Sequence, residues 1–249
     1  MELNHKLYEC MSAAAKRVTI DQVTIGLGYT AVTTSDGGIG IAATCVALDS
    51  CCAGQFDVVD FEGRAGIDLL QLIVKPDPMG RTIALALVNA LNHRYARALP
   101  VDPGNTLLFN QFDIRSGVRV AMVGYFPPLV HRLEKENVSL SVVDDARGMG
   151  DKKTFYKQLD GWADVLLITA TSILNNSTET ILSHAGPDLK IVLLGPSTPM
   201  IPEAFAHLPV HMLAGSAITD PQRALKIVRH SGGTRALKPV TRKVYWLAA

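Results

Sequence analysis

No apolar run in the chain approaches the roughly 18 uninterrupted residues that a membrane-spanning helix needs, so a transmembrane protein is not expected. An excess of either charge is also missing. With 24 basic and 23 acidic side chains the formal charge is +1, so no general electrostatic pull toward nucleic acid or a membrane is expected. Met1–Arg17 mixes Glu2, His5, Lys6 and Glu9 with its apolar residues and lacks the apolar core of a secretory signal. Cysteine is scarce: four residues, two of them adjacent at Cys51 and Cys52, do not read as a disulfide framework in a chain of this size. A reducing cytoplasm is the expected setting. The seven histidines form no His-x-x-x-His or His-Glu-x-x-His pattern, and no P-loop, nucleophile elbow or Ser/His/Asp signature occurs.

What is present is a change of pattern near the middle. Leu3–Arg17 has helical spacing. Gln22–Gly28 and Ile39–Ala47 read as strands around the turn Thr33-Thr34-Ser35-Asp36-Gly37-Gly38, whose Asp-Gly-Gly supplies positive φ angles. Arg64–Val74 and Met79–Asn92 read as helices broken apart by Lys75-Pro76-Asp77-Pro78, and Tyr95–Gly117 reads as a connection. From Val118 onward strands and helices alternate: strands at Arg119–Gly124, Ser139–Val143, Val165–Thr169, Ile191–Gly195 and Val210–Ala214, with helices between them and at Pro221–His230. Such alternation implies right-handed crossovers and a parallel sheet covered on both faces. The expected fold is α/β, with residues 1–100 a smaller N-terminal α+β domain and residues 101–249 a Rossmann-like domain.

In a parallel sheet the carboxyl ends of the strands share one edge, where ligands are held. That edge would collect Gly124-Tyr125-Phe126-Pro127, Asp144-Asp145, Thr169-Ala170-Thr171-Ser172 with Asn175 beyond it, Gly195-Pro196-Ser197-Thr198, and Gly215-Ser216. Glycines there permit close backbone approach, and the hydroxyls suit an anionic, oxygen-rich ligand. For any one segment turn chemistry and capping are the better reading, and it is the convergence of five such loops on one edge that points to a site. The first strand is followed by one glycine and then by bulky, rigid residues, so the pyrophosphate turn of Gly-x-Gly-x-x-Gly is absent in its usual form. Asp144 is the candidate acid or base. Ser197 is the best single hydroxyl, although nothing in the sequence supplies it with a base. Cys51 and Cys52 are weak candidates for a soft metal, because a vicinal pair strains shared coordination.

The segments 119–128, 167–178 and 194–199 resemble the motifs of the DUF364 family, whose suggested role is heavy-metal chelation. Gly26–Val32 with Gly38–Ala42 resembles the DUF4213 segment that precedes it. The resemblance runs from about Asp21 to about His230. It implies an enolase-N-terminal-like α+β domain followed by a Rossmann-like domain, with a site in the cleft between them to which Thr30 contributes. Relatives carry glycine where this chain has Ala170 and Asn176, and often glutamate where it has Asp144 or Asp145.

Two functions follow as expectations. The first is a protein that binds a metal ion or a small anionic metal chelate in the cleft; oxygen-rich loops favour a chelate over a bare soft metal. The second is an enzyme, a lyase, transferase or chelatase-like catalyst acting on a small anionic metabolite. A nucleotide-cofactor oxidoreductase ranks third. The expected partner is a small molecule or metal, with neither nucleic acid nor membrane, and the reading leaves room for a homo-oligomer.

Overall fold

The computed structural model describes residues 1–45 and 60–248, which form two sheets. The N-terminal unit begins with α1 (Glu2–Ala15) and the strands β1 (Ile20–Ile25), β2 (Tyr29–Thr34) and β3 (Ile39–Ala43). The order is β1-β2-β3 and both pairings are antiparallel. The sequence expectation was two strands, and β2 is the one it lacked. Its residues are buried on both faces, so no polar alternation marks it. Gly26-Leu27-Gly28 does not extend the strand but reverses the chain, with the Gly26 amide donating to Tyr29 O. The turn at Asp36-Gly37 lies where expected, with Gly37 at φ +81° and the Gly38 amide donating to the Asp36 carboxylate.

The helices α2 (Gly66–Leu70), α3 (Pro78–Leu91) and α4 (His93–Ala98) follow. Asp77 starts α3: its carboxylate accepts the Met79 and Gly80 amides, and Pro78 fills the first helical position, where no amide partner is needed. The region read as a bare connection holds part of α4 and α5 (Thr106–Gln111). Six-residue helices show little periodicity, and α5 depends on Asp102, whose carboxylate accepts the amides of Thr106, Leu107 and Leu108.

The larger sheet contains β4 (Arg119–Val123), β5 (Ser139–Val143), β6 (Val165–Thr169), β7 (Lys190–Leu194), β8 (Met212–Ile218) and β9 (Thr241–Leu247). Between these strands lie α6 (Pro127–Lys135), α7 (Lys152–Gln158), α8 (Thr178–Leu182), α9 (Pro221–Arg229) and α10 (Thr234–Leu237). The order is β5-β4-β6-β7-β8-β9, parallel as far as β8 and antiparallel at β9. The fold is therefore α/β with a parallel-dominated sheet, as expected. It has one strand more than the sequence pattern showed, because Arg242 and Lys243 interrupt the apolar signal of β9.

Alternate residues of the strands face opposite layers. Val120, Met122, Leu167 and Val192 pack with Phe109, Leu129 and Leu133 from α5 and α6. Ala121, Leu166, Ile168 and Leu193 belong to a second core that includes Phe155 of α7 and continues into Leu3, Leu7, Leu85 and Leu87 of the N-terminal unit. The N-terminal unit is thus one of the layers that covers the sheet. Among the described residues, no helix is long and apolar enough to cross a membrane.

Candidate functional site

Strand order reverses between β4 and β6. From β4 the chain moves to β5 on one side, then crosses back to β6 on the other, so the segments leaving these two strands diverge, the place where open α/β sheets commonly hold ligands. Gly124 follows β4 at φ +86°, and a methyl group there would sit 3.0 Å from the Thr169 side chain. Gly195, at φ +119°, ends β7 beyond it. The Phe126 ring lies 3.6 Å and 4.0 Å from where Cβ atoms on Gly124 and Gly195 would stand, so it spans the two strand ends.

One wall is built around Asp144. Its Oδ2 accepts the Tyr125 amide at 2.8 Å, its Oδ1 accepts the Arg147 amide at 3.2 Å, and Arg147 Nε lies 3.5 Å from Oδ2. The Asp144 side chain is 12 % exposed, whereas Arg147 is 52 % exposed and holds its guanidinium 5.1 Å over the Tyr125 ring. Asp144 acts here as a clasp that fixes the segments after β4 and β5. Beside it, α6 offers a poor anion cradle: Pro127 and Pro128 have no amide hydrogen, and the Leu129 and Val130 amides donate to Phe126 O. This agrees with the missing glycine fingerprint.

Thr169 and Thr171 are half-buried, with their hydroxyls 2.9 Å apart. Farther along the loop, the Ser172 and Thr178 hydroxyls are buried against each other at 2.8 Å. Asn175 is exposed, but its Oδ1 accepts both the amide and the hydroxyl of Ser177.

The loop after β7 is committed to the N-terminal unit. Ser197 Oγ accepts the Ala43 amide at 2.8 Å, and Ser197 O accepts from Asn89 Nδ2 at 3.2 Å. Thr198 donates its hydroxyl to Ala214 O, and both side chains are buried. Gly215 lies inside β8, not in a loop, because the strand runs to Ile218; a methyl group there would strike Met200 Sδ at 2.5 Å. Thr30 is fully buried within the small sheet, its hydroxyl 3.0 Å from that of Thr44.

The same seam includes contacts that no sequence motif marked. Arg81, 3 % exposed, donates from Nε to Leu174 O at 2.5 Å and from Nη1 to Lys75 O at 2.7 Å. Asn4 donates to Asn176 Oδ1, and the Glu179 carboxylate accepts the Glu2 and Leu3 amides at the start of α1. Cys45 donates its amide to Thr82, one residue from Arg81. A cavity of about 10 Å³, beside Asn89, His93, Pro196 and Ser216, is near the size of one water. A wider open depression of about 650 Å³, lined by Lys153, Tyr156, His184 and Gly186, contains none of the expected site residues.

The structure therefore brings Gly124, Tyr125, Phe126, Pro127, Asp144, Thr169 and Gly195 together at the ends of β4 to β7, with Thr171 and Pro196 in the adjoining loops. Ser172, Ser197, Thr198, Gly215 and Thr30 have packing roles. Cys51 and Cys52 lie outside the described residues. Among those described, no group of three or more His, Cys, Asp and Glu side chains is placed to share a metal ion.

Replacing Ser197 by alanine should cost about 1–2 kcal/mol, because the Ala43 amide loses its acceptor in a tight seam. Urea denaturation reads this directly. An unchanged midpoint would show that the contact does not hold the units together.

The structure defines an α/β protein in which an antiparallel α+β unit packs against a parallel-dominated sheet and meets the loops after β6 and β7. The chain belongs to the DUF364 family: that family's profile matches residues 107–247, and the DUF4213 profile matches residues 8–92. Both carry the description "Putative heavy-metal chelation". An uncharacterized protein of Methanocaldococcus jannaschii is 25 % identical over 174 residues, which take in 67 % of this chain and 66 % of that protein, just under two thirds of its length. Two crystal structures of DUF364 proteins of unknown function are similar in fold. The one from Pyrococcus horikoshii has a TM-score of 0.81 at 22 % identity and covers 100 % of both chains. The one from Desulfitobacterium hafniense has a TM-score of 0.74 at 18 % identity, covering 98 % of this chain and 99 % of that one. At these identities the likeness establishes the fold alone.

Proposed function

We propose that this protein binds a small anionic metal chelate at the β4/β6 crevice, in a cytoplasmic setting, with residues 1–100 and 101–249 acting as the two domains that flank the site. One observation carries the reading: the donor set at the strand ends. It consists of the Thr169 and Thr171 hydroxyls, the aromatic faces of Tyr125 and Phe126, and the exposed guanidinium of Arg147. These groups suit carboxylate or phosphate oxygens and flat organic surface. They do not suit a bare soft cation, which prefers sulfur and imidazole. The family description, heavy-metal chelation, is compatible with a metal that arrives already wrapped by such a ligand.

The catalytic alternative has no comparable observation in its favour. Both Asp144 oxygens already accept backbone amides, and Ser197 is buried against Ala43. Neither is presented as a proton-transfer group or nucleophile.

Equilibrium dialysis against nickel or ferric ions, alone and with citrate, followed by elemental analysis of the retained metal, tests the proposal. Retention only with citrate is expected, weakened on the order of tenfold by Arg147→Ala through loss of a charge-assisted contact. Equal retention without citrate would overturn it in favour of direct ligation. No retention in either arm would remove the citrate-like class.

A further inference from the structure

The near-zero total charge conceals a segregation. Residues 220–243 hold seven of the chain's 24 basic side chains and one of its 23 acidic ones, which leaves the remainder net acidic. Arg223, Lys226 and Arg229 lie on α9, and all three are exposed. Arg235 on α10 and Lys238 just after it are also exposed; Arg242 and Lys243 follow on β9, where successive side chains face opposite sides of the sheet and Lys243 reaches Asn105. None of the seven takes part in an ion pair among the described residues. The lone acid, Asp220, is used locally, its carboxylate accepting the Arg223 amide.

A second observation lies beside this face. The β1–β2 turn carries Leu27 at its tip, 86 % exposed, and Ile25 next to it, 50 % exposed. The tip is held out by its neighbours. Leu27 N donates to Ser231 Oγ just beyond α9, and methyl groups on Gly26 and Gly28 would meet Val228 O at 2.1 Å and Gly232 O at 3.2 Å. The Tyr29 hydroxyl lies 2.7 Å from that of Thr234, which fastens α10 to β2. The apolar tip is thus fixed at the end of the basic helix, near Arg229, His230 and Arg235.

From this juxtaposition we propose that the α9–α10 face, with Leu27 at its rim, docks on an anionic lipid surface. The basic residues would lie over phosphate headgroups while Leu27 and Ile25 enter the boundary with the acyl chains. A nucleic acid would account for the charges but leave the apolar tip unexplained. This surface is separate from the crevice, so the proposal stands or falls independently of the chelate reading.

Cosedimentation with phosphatidylcholine vesicles, with and without phosphatidylglycerol, tests it, alongside retention of polyuridylate RNA. The protein is expected to pellet only with phosphatidylglycerol vesicles, and less so as salt rises. Leu27→Ser should weaken that partition about tenfold and leave RNA retention unchanged. The double change Lys226→Glu with Arg229→Glu should weaken it by more, at roughly fivefold per charge removed. All three positions are exposed, and an unchanged thermal melt verifies folding. No binding to phosphatidylglycerol vesicles, or binding indifferent to Leu27→Ser, would overturn the proposal; the latter together with strong RNA retention would assign the face to nucleic acid.

Discussion

Gly40→Ala is expected to destabilise the protein by about 4 kcal/mol or more, enough to cut the soluble yield sharply. A methyl group on Gly40 would stand 2.2 Å from Ala86 O and 2.2 Å from the Ala90 amide nitrogen, both backbone atoms of α3. Flexible side chains can move aside, but a helix backbone relieves such a clash only if α3 lifts off β3. That lift would also disturb Asn89, which donates to Ile41 O on one side and to Ser197 O on the other. Local overpacking at Gly40 would therefore loosen the seam that positions the loop after β7. The urea midpoint reads the effect, with Gly233→Ala as control, since open space surrounds that position. A Gly40→Ala midpoint close to that of the native protein would mean that α3 does not seat on β3 at this distance.

The parts of the fold legible from sequence are those whose signal is local. Asp77-Pro78 marks the start of α3, Asp36-Gly37 marks a hairpin, and the apolar runs at 165–169 and 190–194 mark buried parallel strands. The missed elements have a signal set by tertiary surroundings. β2 is central and buried on both faces, so it lacks alternation, and β9 carries two adjacent cations because its beginning meets solvent. The site was legible as an edge, not as a set of side chains. Sequence placed Gly124, Asp144, Thr169 and Ser197 together at the strand ends but could not tell which would be buried. That division depends on where the N-terminal unit rests: it rests on the loop after β7, burying Ser197 and Thr198, while Gly124 and Thr169 stay half-buried at the ends of β4 and β6. Arg81 did leave a trace. It is the one charged residue of α3, and a solitary cation in an otherwise apolar helix signals a buried, partnered charge.

Arg81→Ala is expected to cost about 3 kcal/mol, combining lost packing with two carbonyls left short of a donor. Arginine suits this position because its fork reaches two separate helix ends. Lys75 follows the 3-10 turn Gln71–Val74, and Leu174 follows the 3-10 turn Ala170–Ile173, so both accepting carbonyls lie at the negative ends of short helices. Burial pulls the guanidinium pKa below the ordinary arginine value, while Asp77 and Cys45 act in the opposite direction. The charge is thus retained by helix ends and neighbouring groups, without a carboxylate in salt-bridge contact among the described residues. Arg81→Lys separates fork from charge: one ammonium can satisfy either carbonyl but cannot span both, so about half the cost should remain. Urea midpoints of the two variants measure this, and hydrogen exchange should show faster opening around Leu174 in both. A lysine variant as stable as the native protein would show that charge alone suffices at this seam; an alanine variant within about 1 kcal/mol would show that the clamp contributes little to joining the units.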